Sequence, residues 1–163
     1  MSQKSSQIIL IFLTLIAAMV ILSAIDDSST QITPPPETRH LTSANEFRVL
    51  ASQGWMNTEV LIQPQDILSI QYISGLWSPW AGDGYDGIGS GGVPTCDCNV
   101  IFGVSHASLI GKVGDDNPFF VGNEFSQPMG QSGYLYLGIN DTRLNDNSGS
   151  ILVSINIFRS TSQ

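Results

Sequence analysis

The sequence predicts an all-β protein, an antiparallel sandwich or barrel preceded by an N-terminal transmembrane or signal helix. Three observations carry this. Short segments rich in branched and aromatic residues recur between clusters of Gly, Pro, Asn and Asp, and the clearest of them alternate apolar and polar residues with a period of two. From Glu46 onward no amphipathic stripe with the helical period of about 3.6 residues runs to a useful length. Many short strands without helices bury their apolar faces by packing sheet on sheet or by closing into a barrel.

The first element is the N-terminal helix. After "MSQKSSQ" comes "IILIFLTLIAAMVILSAI", residues 8–25, with no charge in it and with Asp26 and Asp27 directly behind. At a rise of about 1.5 Å per residue this run approaches the thickness of a hydrocarbon core. Lys4 before it and two aspartates after it keep the N-terminus in the cytoplasm, which places the rest of the chain outside. The run exceeds the roughly 7 to 15 residues of a cleavable signal core, which favours an anchor, while "LSA" ending at Ala24 offers a cleavage site. Residues 1–25 are therefore read as a signal anchor or a signal peptide. The domain is then membrane-anchored and extracytoplasmic, or secreted if the chain is cleaved near Ala24. Nothing downstream is apolar enough to span again.

Residues 26–45 hold Pro34, Pro35 and Pro36 among Ser and Thr, with almost no large apolar side chain. Such a stretch cannot bury enough surface to offset its ordering entropy, so it reads as an extended linker in which His40 is solvated.

Residues 46–160 read as the β domain. Strands are expected at 47–51, 59–62, 66–74, 107–113, 134–139 and 150–158. In the last, Ile151, Val153, Ile155 and Ile157 share one face while Ser154 and Asn156 take the other; Leu68, Ile70 and Tyr72 likewise oppose Ser69 and Gln71. Two irregular stretches remain. The glycine-rich stretch 75–100 is long for a loop within a domain, and Trp77, Trp80 and Tyr85 argue that it packs onto something. The stretch 114–133 has Asp115 and Asp116 at a turn and then Phe119, Phe120 and Phe125, and reads as a strand plus a loop capping the core.

Charge excludes one class of partner. Six Lys and Arg stand against fourteen Asp and Glu, a formal net charge of −8, and the cations do not cluster, so no surface suits a nucleic-acid backbone. Catalysis finds no support either, and no residue is assigned a catalytic role. There is no G-x-S-x-G, H-E-x-x-H or Walker loop; His106 opens a strand without a nucleophile in motif context. Asp83 and Asp86 are two acids in a glycine-rich loop, with no separation that a sequence can specify. Cys96 and Cys98, one residue apart, are compatible with a strained bridge, an intermolecular bridge or two thiols. Asn140-Asp141-Thr142 is a glycosylation sequon, relevant only in a eukaryotic secretory pathway.

One stretch suggests an ion. "GINDTRLNDNSGS", residues 138–150, sets Asn140, Asp141, Asn145, Asp146 and Asn147 between two alternating segments. Calcium takes about six to eight oxygens from carboxylates, amides and main-chain carbonyls on a backbone able to curl. Asp141, Asp146 and Asn147 offer side-chain oxygens. The loop is not an EF-hand: with Asp141 first, the glycine position would hold Asp146 and the bidentate glutamate position Leu152. A hairpin turn favours the same residues, so composition supports turn and cation cage equally.

"YLYLGINDTRLNDNSGSILVSI", preceded by "ASLIGKVG" and by a "PQDILSI" strand, resembles the PA-IL-like family of bacterial galactophilic lectins over residues 47–158, most specifically at 140–149. The resemblance implies a jelly-roll-like β-sandwich that binds one calcium ion, Ca2+, which itself coordinates hydroxyls of a galactose ring. It assigns Asp141 to the family's aspartate ligand, and Asp146 and Asn147 to its paired asparagines. Leu144 then lends a main-chain carbonyl, with Arg143 nearly as good a match, and a further carbonyl comes from near Ser78 or Pro79. The loop in which the family places a His and a Gln for the sugar reads "GDGYDGIGSGG" here, with Tyr85 and Asp86 in roughly that place. The implied sugar contacts are Tyr85, Asp86, Asp141 and Asn147. The expectation is a calcium-dependent, galactose-type carbohydrate-binding domain displayed outside the cytoplasm, in a chain compatible with a homo-oligomer. The rival is a non-lectin adhesion or assembly module that keeps calcium as a structural clip.

Overall fold

The computed structural model describes residues 38–160. The apolar segment 8–25 and the linker up to residue 37 lie outside the described residues. Eight strands follow in chain order: β1 (Arg39–Leu50), β2 (Met56–Ile62), β3 (Ile67–Ser78), β4 (Leu109–Val113), β5 (Phe119–Phe120), β6 (Glu124–Pro128), β7 (Gly133–Ile139) and β8 (Ser148–Ser160). They form two antiparallel four-stranded sheets, ordered β1-β8-β3-β6 and β2-β7-β4-β5. The expected all-β sandwich is what the chain forms.

The core follows from alternation. Along β8, Ile151, Val153, Ile155 and Ile157 are buried while the residues between them are half-buried. They meet Val49, Leu68, Ile70 and Trp77 of their own sheet and, from the other sheet, Val60, Ile62, Leu109, Val113, Leu135, Leu137 and Ile139 in one apolar cluster. Each such side chain contributes about 1.5–3 kcal/mol by leaving water.

In β3 the alternation breaks, and the break positions the site. Leu68 and Ile70 point inward at even positions, yet Trp77 is the buried residue further along. A register shift against β8 between Tyr72 and Ser74 leaves Ile73 as the extra, exposed residue and inverts the parity. Tyr72 OH donates to the Gly75 carbonyl across this bulge at 2.6 Å. Beyond it β3 delivers Trp77 to the core, and the chain emerges at Pro79 and Trp80.

Two stretches differ from the sequence reading. Residues 39–45, grouped with the linker by composition, belong to β1 and pair with the end of β8. This half-strand is exposed almost throughout, so main-chain bonds hold it and its side chains carry no apolar pattern. The stretch 114–133 contains two short strands rather than one: β5 joins β4 in one sheet and β6 joins β3 in the other. The chain changes sheets between them, and the Phe119 and Phe125 rings stack across the crossing at 4.9 Å.

Gly149 is a backbone requirement of this frame. Its φ is +82°, and a Cβ there would collide with the Leu76 carbonyl oxygen and stand 3.0 Å from Trp77 Cα. Gly149→Ala is expected to cost on the order of 2–4 kcal/mol, read by urea denaturation, because strain and collision add. A change under about 0.5 kcal/mol would show that the β3–β8 pair yields there at no cost.

Candidate ligand and cation site

The site grows out of the end of β7. Asn140, fully buried, is a clamp: its Oδ1 accepts from Ile101 N–H at 2.8 Å, and its Nδ2 faces the carbonyls of Ser105, Ile101 and Val104 at 3.1–3.3 Å. Its N–H donates to the Ser108 carbonyl and its own carbonyl accepts from Ala107 N–H. The sequon asparagine is thus consumed as a structural strut, with no room for a glycan in the folded domain.

The clamp fixes Asp141. Its Oδ1 accepts from Arg143 N–H at 2.8 Å, closing an Asx turn, while its Oδ2 faces His106 Nε2 at 3.9 Å. Both side chains are buried, His106 at 6% and Asp141 at 2% exposure. Thr142 N–H donates to the Cys98 carbonyl at 2.8 Å, tying the acidic turn to the cysteine turn. Cys96 and Cys98 form an intramolecular disulfide with Cα atoms 5.0 Å apart, which selects one of the three states their spacing allowed.

His106 is held from three sides. Its Nδ1 lies 2.8 Å from Asn99 Oδ1, Trp80 stacks on the ring with centroids 5.4 Å apart at 8°, and Ala107 behind it takes φ +62°. A non-glycine residue at positive φ costs on the order of 1 kcal/mol or more, and such strain concentrates at functional sites. The glycine-rich loop packs its backbone against this turn: Ser90 N–H donates to the His106 carbonyl, and His106 N–H to the Gly92 carbonyl. At Gly89 a Cβ would meet His106 O and Ser108 N at 2.5 Å each, so only glycine lets the two backbones approach so closely.

These elements enclose a pocket of about 180 Å³. Buried His106 and Asp141 lie at its base, Trp80, Pro79, Val93 and Cys98 form its walls, and exposed Arg143 and Asp146 stand at its rim. Of the residues expected to hold an ion, Asp141 and Asp146 come together here. Asn147 is buried beside the loop, its Nδ2 donating to the Ala51 carbonyl at 3.1 Å while its Oδ1 has no hydrogen-bond partner. Leu144 packs its side chain on the core. Pro79 borders the pocket, and the Ser78 hydroxyl donates to the Trp80 carbonyl.

The two expected sugar contacts from the glycine-rich loop sit differently. Tyr85 forms a bridge with Trp77 through N–H···O bonds of 3.0 and 2.7 Å, and its ring lies edge-on to Trp80, so it supports the pocket wall. Asp86 is engaged within the protein: Oδ1 accepts from Ile88 N–H at 2.9 Å and Oδ2 from Asn123 Nδ2 at 3.0 Å. It does not line the pocket.

Two carboxylates at one pocket are the kind of oxygen donor a hard cation such as calcium prefers; Asn147 stands on the same turn but is not among the residues lining the pocket. An unsatisfied buried acceptor such as Asn147 Oδ1 costs about 1–3 kcal/mol, which a cation reaching it would relieve. Among the described residues no group of three His, Cys, Asp or Glu side chains is arranged to hold a metal, so an ion here must also draw on amide and main-chain oxygens. His106, Trp80 and Asn99 had no site role in the sequence reading. No spacing rule joins them to Asp141, and a strand-leading "SHAS" carries no motif.

No protein-family model and no curated protein sequence matches the chain. Among solved structures, one described as "EclA N-terminal domain; PllA-like lectin" is similar, with a TM-score of 0.52 and 20% identity over 72% of this chain and 97% of that one. At this identity the likeness shows a shared lectin-like fold.

Proposed function

We propose that the domain is a calcium-dependent carbohydrate-binding module of galactose type, displayed outside the cytoplasm and attached to a membrane through residues 8–25. The observation that supports this most directly is that Asp141 and Asp146 line one small pocket, while the Asn147 amide oxygen of the same turn is buried with no hydrogen-bond partner among the described residues. Asp141, Asp146 and Asn147 would hold the ion by side chains, and Leu144 and Pro79 by main-chain carbonyls. Calcium held there would supply coordination to sugar hydroxyls, which water's competition for single hydrogen bonds otherwise weakens. Around it, the base accepts hydrogen bonds and Trp80 covers an apolar patch of the ring. The pocket, about 180 Å³ and open to solvent, has room for one sugar ring against Trp80.

A structural calcium clip in an adhesion module is the second reading, favoured by the engagement of Asp86 away from the pocket. Thermal melts with calcium and with chelator, together with a glycan array in both conditions, separate the two. The carbohydrate reading expects a higher melting temperature in calcium and calcium-dependent array signals that include galactosides. Stabilisation by calcium with no glycan bound would leave only the clip.

A further inference from the structure

We infer that His106 is a direct ligand contact, and that with Asp141 it forms a two-acceptor anchor selecting ligands with hydroxyls on adjacent carbons. The inference rests on the carbohydrate reading and adds to it a group that the calcium loop does not include.

The hydrogen-bond network orients the ring. Asn99 Nδ2 faces three main-chain carbonyls, those of Val93, Pro94 and Val104, at 2.9, 3.3 and 3.4 Å. Its Oδ1 is thereby the atom turned to His106, and an amide oxygen only accepts, so Nδ1 carries the proton. In the neutral ring Nε2 is then an acceptor, and among the described residues it makes no hydrogen bond. Its nearest charged neighbour, Asp141 Oδ2 at 3.9 Å, is another acceptor, too distant for a hydrogen bond.

Two buried acceptors facing one another in a low-dielectric pocket call for donors between them. The Trp80 stack, the Asn99 bond and the left-handed Ala107 keep His106 from turning away, and the Asx turn keeps Asp141 in place. One hydroxyl has one proton and satisfies one acceptor. Hydroxyls on neighbouring carbons can donate to both at once, with the ring carbons beside Trp80. A deoxygenated neighbour would leave one acceptor bare, which is where selectivity arises.

The test uses methyl galactoside as probe, titrated by calorimetry at saturating calcium. In His106→Asn the shorter amide can still donate to Asn99 Oδ1 but cannot reach the Nε2 position. Galactoside affinity is expected to fall on the order of tenfold with calcium affinity unchanged, while loss of the Trp80 stack lowers the melting temperature equally with and without galactoside. His106→Gln, whose amide reaches toward the Nε2 position, is expected to recover part of the loss. In the wild type the nitrogen NMR shift of His106 Nε2 is expected to move when galactoside is added, a readout that depends on no variant's folding. Unchanged affinity in a folded His106→Asn variant, or an unmoved Nε2 resonance in galactoside-saturated wild type, overturns the inference and leaves the calcium lectin standing. Absence of wild-type binding to the galactoside and to every arrayed glycan overturns both.

Discussion

Asp141→Asn is expected to abolish the calcium-dependent galactoside binding proposed above, together with any stabilisation by calcium. The side chain is 2% exposed at the base of the pocket, and asparagine keeps its shape. An Asn Oδ1 can still accept from Arg143 N–H, so the Asx turn survives and only the charge is lost. If calcium binds as proposed, a concentration a hundredfold above its Kd stabilises the wild-type domain by about 2.7 kcal/mol, a rise in melting temperature on the order of 10 °C for a domain of this size. The variant should show almost none of that rise in thermal melts, and calorimetry should show galactoside affinity down by about a hundredfold or more. Asp146 is exposed at the rim, and Asp146→Asn is expected to cost less, on the order of tenfold. A variant at Asp141 that kept both the thermal shift and the sugar would remove this carboxylate from the ion site.

Arg159→Met is expected to cost about 3–5 kcal/mol of stability and to leave galactoside affinity unchanged. Asp66, fully buried where β2 turns into β3, receives Arg159 Nε at 2.7 Å and Nη2 at 2.6 Å as a bidentate pair, and Gln63 N–H at 2.8 Å. Burial raises the Asp66 pKa. The hydrogen bonds from Arg159 and from Gln63 N–H, with the charges of Arg159 and Arg39, outweigh it and hold the carboxyl below the ordinary value of 3.8. The same hydrogen bond raises Arg159. Removing Arg159 strands a buried carboxylate, which is costlier than losing an exposed pair. Because the folded pKa lies below the unfolded one, the contribution is complete above about pH 3.8 and is lost as pH falls through the lower folded value. Denaturant titrations should therefore show the gap between wild type and variant narrowing as pH falls through the variant's Asp66 pKa, which burial without Arg159 raises, and narrowing further as pH drops below about 3.8. A gap equal at neutral and acid pH would mean that the pair is not the source of the loss.

Alternation made β8 and the first half of β3 readable, because a half-buried strand must place Ile151, Val153, Ile155 and Ile157 on one side. The same logic missed residues 39–45, which are exposed on both faces and held by main-chain bonds that any residue but proline can make. It also stopped at Tyr72, since one extra residue in a bulge inverts every side chain beyond it, and only pairing with β8 reveals the insertion. Within the site, Asp141 and Asp146 were legible as a local cluster of oxygen donors on a turn. Asp86 was expected at the sugar from its place in the loop that the family resemblance implies, but Asn123 and the Ile88 N–H engage its carboxylate, and those partners are set by the fold. His106 gave no signal, because its role depends on Trp80 and Asn99, well apart along the β3–β4 connection, and on Asp141 from the β7–β8 turn.

The sequence by itself determined the class of fold and the acidic turn, since both rest on interactions between near neighbours: side-chain parity along a strand, and oxygens a few residues apart on a curling backbone. Tertiary structure alone decided that β3 turns Trp77 inward, that Cys96 bonds to Cys98, and that His106 faces Asp141 under Trp80. These depend on register between distant strands and on close backbone approach at glycines, where a shift of one residue moves a side chain from one face of a sheet to the other.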